Sequence, residues 1–277
     1  MNTNPKTAPG VAGRIPALAP ETVLHLNESS LIPGDRETLA AWKIAFFGAI
    51  ALLVALPIYR PHPFLEILSF VPDGLTATFT VTVASVCCAL VLGLLAGLGR
   101  IARTTIINRI ATVYVEVVRG IPLLVQLFYI YYALGPLLHL NGLMSAIAAL
   151  SICYGAYLAE IFRAGIQSIA KGQMEAALAL GMSRTQALWK IILPQTVKVV
   201  LPPIGNEFIA LLKDSSLVSI LAVSDLLRRG REFASTTFNY LEAYTVVALI
   251  YLIMTLFFSR LVGLMEERLR THGGKHH

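Results

Sequence analysis

Apolar residues run along this chain in long blocks separated by short polar breaks, without the strict alternation of a barrel strand. Six blocks are long enough to matter, at roughly 40 to 59, 74 to 99, 115 to 138, 142 to 163, 196 to 221 and 242 to 264. A crossing helix needs about 20 predominantly apolar residues, so the blocks predict six transmembrane helices. The fifth contains Pro202, Pro203, Lys213 and Asp214, and its paired prolines predict a broken helix.

The break between the fourth and fifth blocks, 166–195, is too polar to stay in lipid and carries its own folding instructions. The run from Gln173 to Leu180 predicts a short helix. Gly181 can take the left-handed conformation that ends it. Ser183 and Gln186 have the three-residue spacing of a capping box. Leu188, Ile191 and Ile192 then give a second helix an apolar stripe until Pro194, which predicts its interruption.

Composition fixes the setting. Of 277 residues, 56% are hydrophobic and 14% charged, with a mean hydropathy of +0.70, outside the range of soluble domains. Lys and Arg are retained on the cytoplasmic side of a membrane. With the N-terminus inside, 17 of the 22 basic residues, including Arg119, fall in cytoplasmic loops and tails, against Arg60, Arg228, Arg229 and Arg231 on the other side. The sequence therefore predicts a multi-pass membrane protein with both termini and the 166–195 segment on the cytoplasmic side. Anionic lipid accounts for the net charge of +6, and nucleic acid need not be invoked. Residues 1–37 and 269–277 read as cytoplasmic tails, the first disordered.

Catalytic chemistry is not visible. Cys87, Cys88 and Cys153 lie in apolar blocks without neighbouring ligands and read as packing residues. No zinc spacing, nucleophile elbow or phosphate-cradling glycine loop occurs, so no metal, cofactor or nucleotide hydrolysis is expected on this chain. Gly93, Gly97 and Gly99 suit close helix approach. The informative charges are those inside the fifth block. Lys213 and Asp214 lie about 15 Å along a helix from Pro203, deep in lipid, where ionisable groups face an interior or a wet cavity. Asn206 and Glu207 lie about two turns earlier, and Gln126 of the third block can face them. Two readings stay open: direct contact with a zwitterionic solute, or a buried ion pair that fixes packing. Glu116 with Arg119 and Glu160 with Arg163 read as i,i+3 pairs at helix ends. Tyr129, Tyr131 and Tyr132 read as interfacial anchors.

One ordered pattern is more specific. Glu175-Ala176-Ala177, then Gly181, then Ile191, then Leu193-Pro194 resembles, at every position, the cytoplasmic EAA loop of ABC importer permeases. The stretches Glu116 to Gln126, Tyr157 to Gly165 and Asn206 to Leu217 are similar to those of the polar amino acid branch, the histidine, glutamine, glutamate and arginine permeases. The resemblance covers roughly residues 66 to 268. It implies a bacterial cytoplasmic (inner) membrane and the five-helix core of a type I ABC importer in residues 61–268, with an additional transmembrane helix at 38–60. It also implies that Glu175, Ala176, Ala177, Gly181, Ile191, Leu193 and Pro194 form a coupling helix seated in a separate cytoplasmic ATPase. ATP and Mg²⁺ would belong to that ATPase dimer. A second permease subunit, the same or homologous, would complete the membrane part, and an extracytoplasmic solute-binding protein would deliver the polar amino acid. Arg228, Arg229 and Arg231 would then either dock that protein or form a solvated loop. The competing classes are a self-contained secondary transporter or channel using Lys213 and Asp214 as an ion-coupling pair, and a membrane scaffold.

Overall fold

The computed structural model describes residues 35–273, and side chains between 39 and 269. Contacts divide the chain into Met1–Ala41 and Trp42–His277, and all packing described below lies within the second unit. The expectations for residues 1–34 and 274–277 fall outside the described residues. Among the described residues every regular element is helical.

From Trp42 onward, helix α1 (Asp35–Tyr59) runs antiparallel to the last helix, α12 (Tyr240–Gly273). The Trp42 indole donates to the Leu256 carbonyl at 2.8 Å, and Arg60 meets Glu242 at 3.3 Å. Most of the rest of α1 is exposed and apolar, as a lipid-facing surface requires. After α2 (Pro61–Phe70) and a turn of 3₁₀ helix comes α3 (Gly74–Arg100). Its buried residues include Thr78, Thr82, Ser85, Ala89, Gly93 and Gly97, spaced three or four apart and all small. Within lipid no hydrophobic force draws helices together, so close contact between small faces must do so. The partner is α7 (Gly142–Ser168), the most buried span. A Cβ on Gly93 would lie 2.6 Å from the Leu158 Cβ, and one on Gly97 would lie 2.9 Å from the Ala159 carbonyl oxygen.

Between them α4 (Thr105–Gly120) and α5 (Leu123–Phe128) form a bent pair. The second limb extends through a π-helical stretch, Tyr129–Leu134, into α6 (Gly135–Leu138). The second limb is bent by 103° from the direction of the first. At the bend Ile121 precedes a proline, which disfavours helical backbone there, and Ile121 and Pro122 are both extended. The third span thus starts about ten residues before the expected 115 and is broken, because Thr105–Gly120 is helical from one membrane face inward.

A polar hairpin follows α7. Helix α8 (Lys171–Ala179) ends at Gly181, whose φ is +80°, and Ser183 and Gln186 form both bonds of the capping box at the start of α9 (Arg184–Ala187). The helix does not stop at Pro194. A π-helical stretch, Leu188–Ile192, leads without a break into α10 (Leu193–Asp214), with Pro194 at the second position of α10. Nor do Pro202 and Pro203 break α10. The carbonyls they leave without donors, four residues back, belong to Lys198 and Val199, both exposed. The α-helical ladder ends instead at Asp214, where a 3₁₀ segment, Ser215–Leu221, begins.

The expected loop after the fifth span contains a helix, α11 (Leu226–Thr237), which packs on α2, α3 and α12 through Leu226, Phe233 and Ala234. Its cap, Asp225, is fully buried and accepts from the backbone N–H groups of Leu227 and Arg228 at 3.2 and 3.1 Å. Burial pushes the Asp225 carboxyl up to about 6, against the opposing pull of those N–H groups and the Tyr251 hydroxyl. Among the described residues five helices are long and apolar enough to cross a membrane, and the bent pair passes the same test of length and composition when its two limbs are taken together. The protein is an all-α membrane protein.

Candidate functional site: a charged cavity and a polar hairpin

The bend between α4 and α5 opens one side of a cavity of about 400 Å³. Its wall comprises Arg119, Gly120, Ile121, Pro122 and Leu123 from the bend, Cys153, Tyr154 and Tyr157 from α7, and Glu207, Ala210 and Asp214 from α10. The α10 contributors follow the spacing i, i+3, i+7, which places them on one helix face. Tyr154 lies twelve residues from the start of α7 and fourteen from its end, about 20 Å from either terminus. The cavity is therefore at mid-bilayer depth.

Two carboxylates and one guanidinium share this space. The Tyr154 hydroxyl donates to Asp214 Oδ2 at 2.7 Å, fixing that carboxylate and leaving its other oxygen for a further partner. The Arg119 guanidinium stacks 5.2 Å from the centre of the Tyr157 ring, a geometry that holds a cation without neutralising it. A solute with both an ammonium and a carboxylate would find complementary charges here.

The candidate path residues divide among different places. Glu207 and Asp214 line the cavity. Asn206 and Lys213, seven residues apart, share an exposed face of α10, and among the described residues no ion pair joins Lys213 to Asp214. Neighbouring positions on a helix point about 100° apart, so the sequence adjacency of the two charges never implied a pair. Gln126 is buried at the bend, where its amide donates to the carbonyls of Val118 and Ile121 at 2.8 Å each. The Val118 carbonyl also accepts from the Ile121 N–H at 3.4 Å, whereas the Ile121 carbonyl loses its helical partner at the break and Gln126 replaces it. Its place is behind the cavity wall.

Arg119, assigned to a cytoplasmic loop from its charge, lies on the cavity wall. It does not pair with Glu116, which bonds Arg100 at 3.5 Å. Arg100 also pairs with Glu160, which in turn holds Arg163, so the expected Glu160–Arg163 pair sits in a network joining α3, α4 and α7. The signal that would have placed Arg119 inside is Ile121-Pro122: a helix that must end there begins well before residue 115. Tyr154, hidden in an apolar block, gave no signal. Tyr129 and Tyr132 are exposed, whereas Tyr131 lines a separate cavity at the far end.

At the opposite end from α11 the hairpin presents its own surface. Glu175, Ala176 and Gly181 are exposed, as are Leu178, Leu180 and Trp189. Ala177 and Ala187 are buried between the limbs, so of the two alanines only Ala176 is available to a partner. Ile191 and Leu193 are half-buried and Pro194 exposed. The arginine cluster is engaged within the chain. Arg228 pairs with Glu232 at 2.8 Å, and Arg229 pairs with Asp73 at 3.6 Å and stacks on Phe70 at 4.8 Å. Arg231 reaches the Ser219 carbonyl at 3.4 Å.

Helices enclosing a charged cavity at mid-bilayer depth, with a structured polar hairpin projecting from one end, have the build of a solute-transporting membrane subunit. Residues 89–271 match the family described as "Binding-protein-dependent transport system inner membrane component", and the chain belongs to that family. It is similar to the glutamine transport system permease protein GlnP of Escherichia coli (strain K12), with 40% identity over 202 residues, 72% of this chain and 92% of GlnP. The arginine transport system permease protein ArtQ of Bacillus subtilis (strain 168) is 36% identical over 205 residues, 73% of this chain and 94% of ArtQ. Among solved structures, one described as an amino acid ABC transporter with histidines aligns with a TM-score of 0.69 and 40% identity, covering 74% of this chain and 96% of the other. An inward-facing MetNI methionine ABC transporter shares the fold, with a TM-score of 0.61 at 22% identity, over 72% and 98% of the two chains. The protein is a permease subunit of an inner-membrane ABC transporter.

Proposed function

We propose that this chain forms the translocation path of an ATP-driven importer of polar amino acids. The observation that carries the substrate class is the cavity in which Arg119 faces Glu207 and Asp214. Arg119, beside the first turn of α5, takes the α-carboxylate, and the two α10 carboxylates take ammonium or side-chain donors. The amino acid permeases among the relatives support the same class.

ATP and Mg²⁺ are bound by a separate ATPase dimer, and this chain hydrolyses nothing. The hairpin couples to it. Exposed Glu175 and Ala176, flanked by Leu178, Leu180 and Trp189, offer an apolar surface with one carboxylate to a groove on the ATPase. The rigid turn at Gly181 transmits its movement to α10, whose far end carries Asp214. The excess of basic residues beside the hairpin supports a cytoplasmic location for it and for both termini. Extracytoplasmic binding protein then approaches at α11. The salt bridges of Arg228 and Arg229 reduce the net field they offer it, which leaves Arg231 as the main candidate contact.

A second permease subunit covers the exposed face of α10. Lys213 lies there at bilayer depth, and an ammonium left in lipid costs roughly 2.5 to 3.5 kcal/mol. A partner subunit, or a wet passage between two subunits, removes that cost. The test is reconstitution in vesicles with and without the ATPase and binding protein. Uptake is expected only with both, plus ATP; uptake by the lone chain would overturn the importer reading in favour of a secondary transporter.

A further inference from the structure

The charges that line the mid-bilayer cavity do not balance. Its wall carries one cation, Arg119, against two carboxylates, Glu207 and Asp214, and its other side-chain polar groups are the uncharged Cys153, Tyr154 and Tyr157. Lys213 lies on the exposed face of α10 and is not part of that wall. The ion-pair network a turn and more toward the hairpin end offers no compensation, because it is neutral in itself. There Arg100 meets both Glu116 and Glu160, and Arg163 meets Glu160. The cavity is therefore short of one positive charge.

The order of these groups along the helices gives the deficit a shape. Tyr154 and Asp214, joined at 2.7 Å, mark one level. Tyr157, whose ring carries Arg119 at 5.2 Å, lies three residues further along α7, about 4.5 Å toward the hairpin end. Glu207 lies seven residues from Asp214 on α10, which runs the opposite way, and so is about 10 Å toward the same end. In depth, Arg119 thus stands between the two acids. An α-amino acid carries its carboxylate and ammonium on a single carbon, so with the carboxylate on Arg119 the ammonium satisfies one acid and leaves the other. A cation at the end of a long side chain spans the remainder: five bonds of about 1.5 Å, in zigzag, carry a lysine ammonium roughly 6 Å from its α-carbon.

We propose that this cavity selects amino acids with a cationic side chain, and that Glu207 and Asp214 divide the two positive charges of such a substrate between them. Asp214, fixed by Tyr154, takes the α-ammonium common to every amino acid, and Glu207 takes the side-chain cation that varies. A neutral polar amino acid leaves one carboxylate unpaired at mid-bilayer depth, where an isolated charge is costly. An acidic one brings a third carboxylate against a single guanidinium. The inference rests on the cavity being the substrate site, as proposed above, and names the substrate within that class.

The test is equilibrium binding of radiolabelled arginine, lysine, glutamine and glutamate, each by itself, to the full chain in nanodiscs, so that no binding protein filters the solutes. Arginine and lysine should bind about tenfold or more tighter than glutamine, the ratio that one charge-assisted hydrogen bond supplies, and glutamate should bind weakest. Glu207→Gln removes the charge at nearly constant size: arginine should weaken about tenfold or more while glutamine stays within a few-fold, so the preference collapses. Glu207→Asp, which keeps the charge, should retain the preference, and thermal unfolding checks that both variants are folded. Glutamine or glutamate binding the unaltered chain as tightly as arginine would overturn this inference and leave the importer reading standing. So would a preference for arginine that survives Glu207→Gln. Binding of none of the four amino acids would overturn the cavity as the substrate site, and this inference with it.

Discussion

The hairpin makes a graded prediction at Gly181. Its φ of +80° lies in the left-handed region, and nothing stands within 4 Å of where a Cβ would be. A substitution there is therefore penalised by backbone conformation alone. For an ordinary L-residue that cost is roughly 1–2 kcal/mol, and Asn largely escapes it. If the hairpin's shape is what the ATPase recognises, Gly181→Ala should weaken ATPase binding about five- to thirty-fold. Gly181→Asn should fall within a few-fold of the unaltered protein, and Gly181→Val should be worse than Ala because its branched Cβ tolerates positive φ least. The assay is titration of the purified ATPase subunit onto the permease in nanodiscs, with thermal unfolding of the permease as a control. Because α8 and α9 lie outside the bundle, the main unfolding midpoint should not move. Equal binding by the Ala, Asn and Val variants would refute the conformational argument, and so would the order Ala above Asn.

The cavity and the bundle give further tests. Asp214→Asn keeps an acceptor for the Tyr154 hydroxyl but removes the charge. Substrate-dependent uptake should fall by about tenfold or more, the scale of a charge-assisted hydrogen bond, with membrane insertion intact; unchanged uptake and lowered stability would mean a packing role. Gln126→Leu strands the Ile121 carbonyl, whereas Val118 keeps the Ile121 N–H as a donor at 3.4 Å, so thermal stability should drop by roughly 1–3 kcal/mol, read by thermal unfolding in detergent. Gly97→Leu drives a side chain into the Ala159 carbonyl and the Phe162 Cβ, both 2.9 Å from its Cβ. It should separate α3 from α7 and cost 1–3 kcal/mol or more, visible as loss of folded protein on size exclusion. Asp225 carries a pH signature. Its carboxyl is raised in the folded protein to about 6 from an ordinary value near 4, so folding favours the protonated form. Stability should decline as pH rises from 4 to 6, by up to about 3 kcal/mol. Asp225→Asn keeps the helix cap and should abolish that slope, which unfolding across this pH range would measure.

The local devices were legible in the sequence because each is set by neighbours along the chain. Gly181 and the Ser183–Gln186 capping box appear as expected, since a left-handed stop and a reciprocal cap need only three or four residues of context. The apolar blocks yielded the all-helical membrane class for the same reason: bilayer thickness imposes a length that composition reveals. Prolines were harder. Ile121-Pro122 bends its span by 103°, whereas Pro202-Pro203 leaves α10 continuous and Pro194 sits in a first turn. The difference lies in whether the residue before the proline is forced out of helical backbone and whether the stranded carbonyls find other partners, and tertiary surroundings decide both.

The site depended still more on the third dimension. Sequence placed Lys213 beside Asp214 and Arg119 outside the membrane, from adjacency and from a charge rule. The folded chain puts Arg119, Glu207 and Asp214 around one cavity with Tyr154 and Tyr157, turns Lys213 away, and sets Gln126 to repair a broken helix. What the residues determined by themselves was the set of spans and the hairpin between two of them, because hydropathy and capping are properties of short segments. Which charges meet was decided by helix phase, by the bend at Pro122 and by the small-residue contact of α3 with α7, since only these bring residues a hundred positions apart to one point in the membrane.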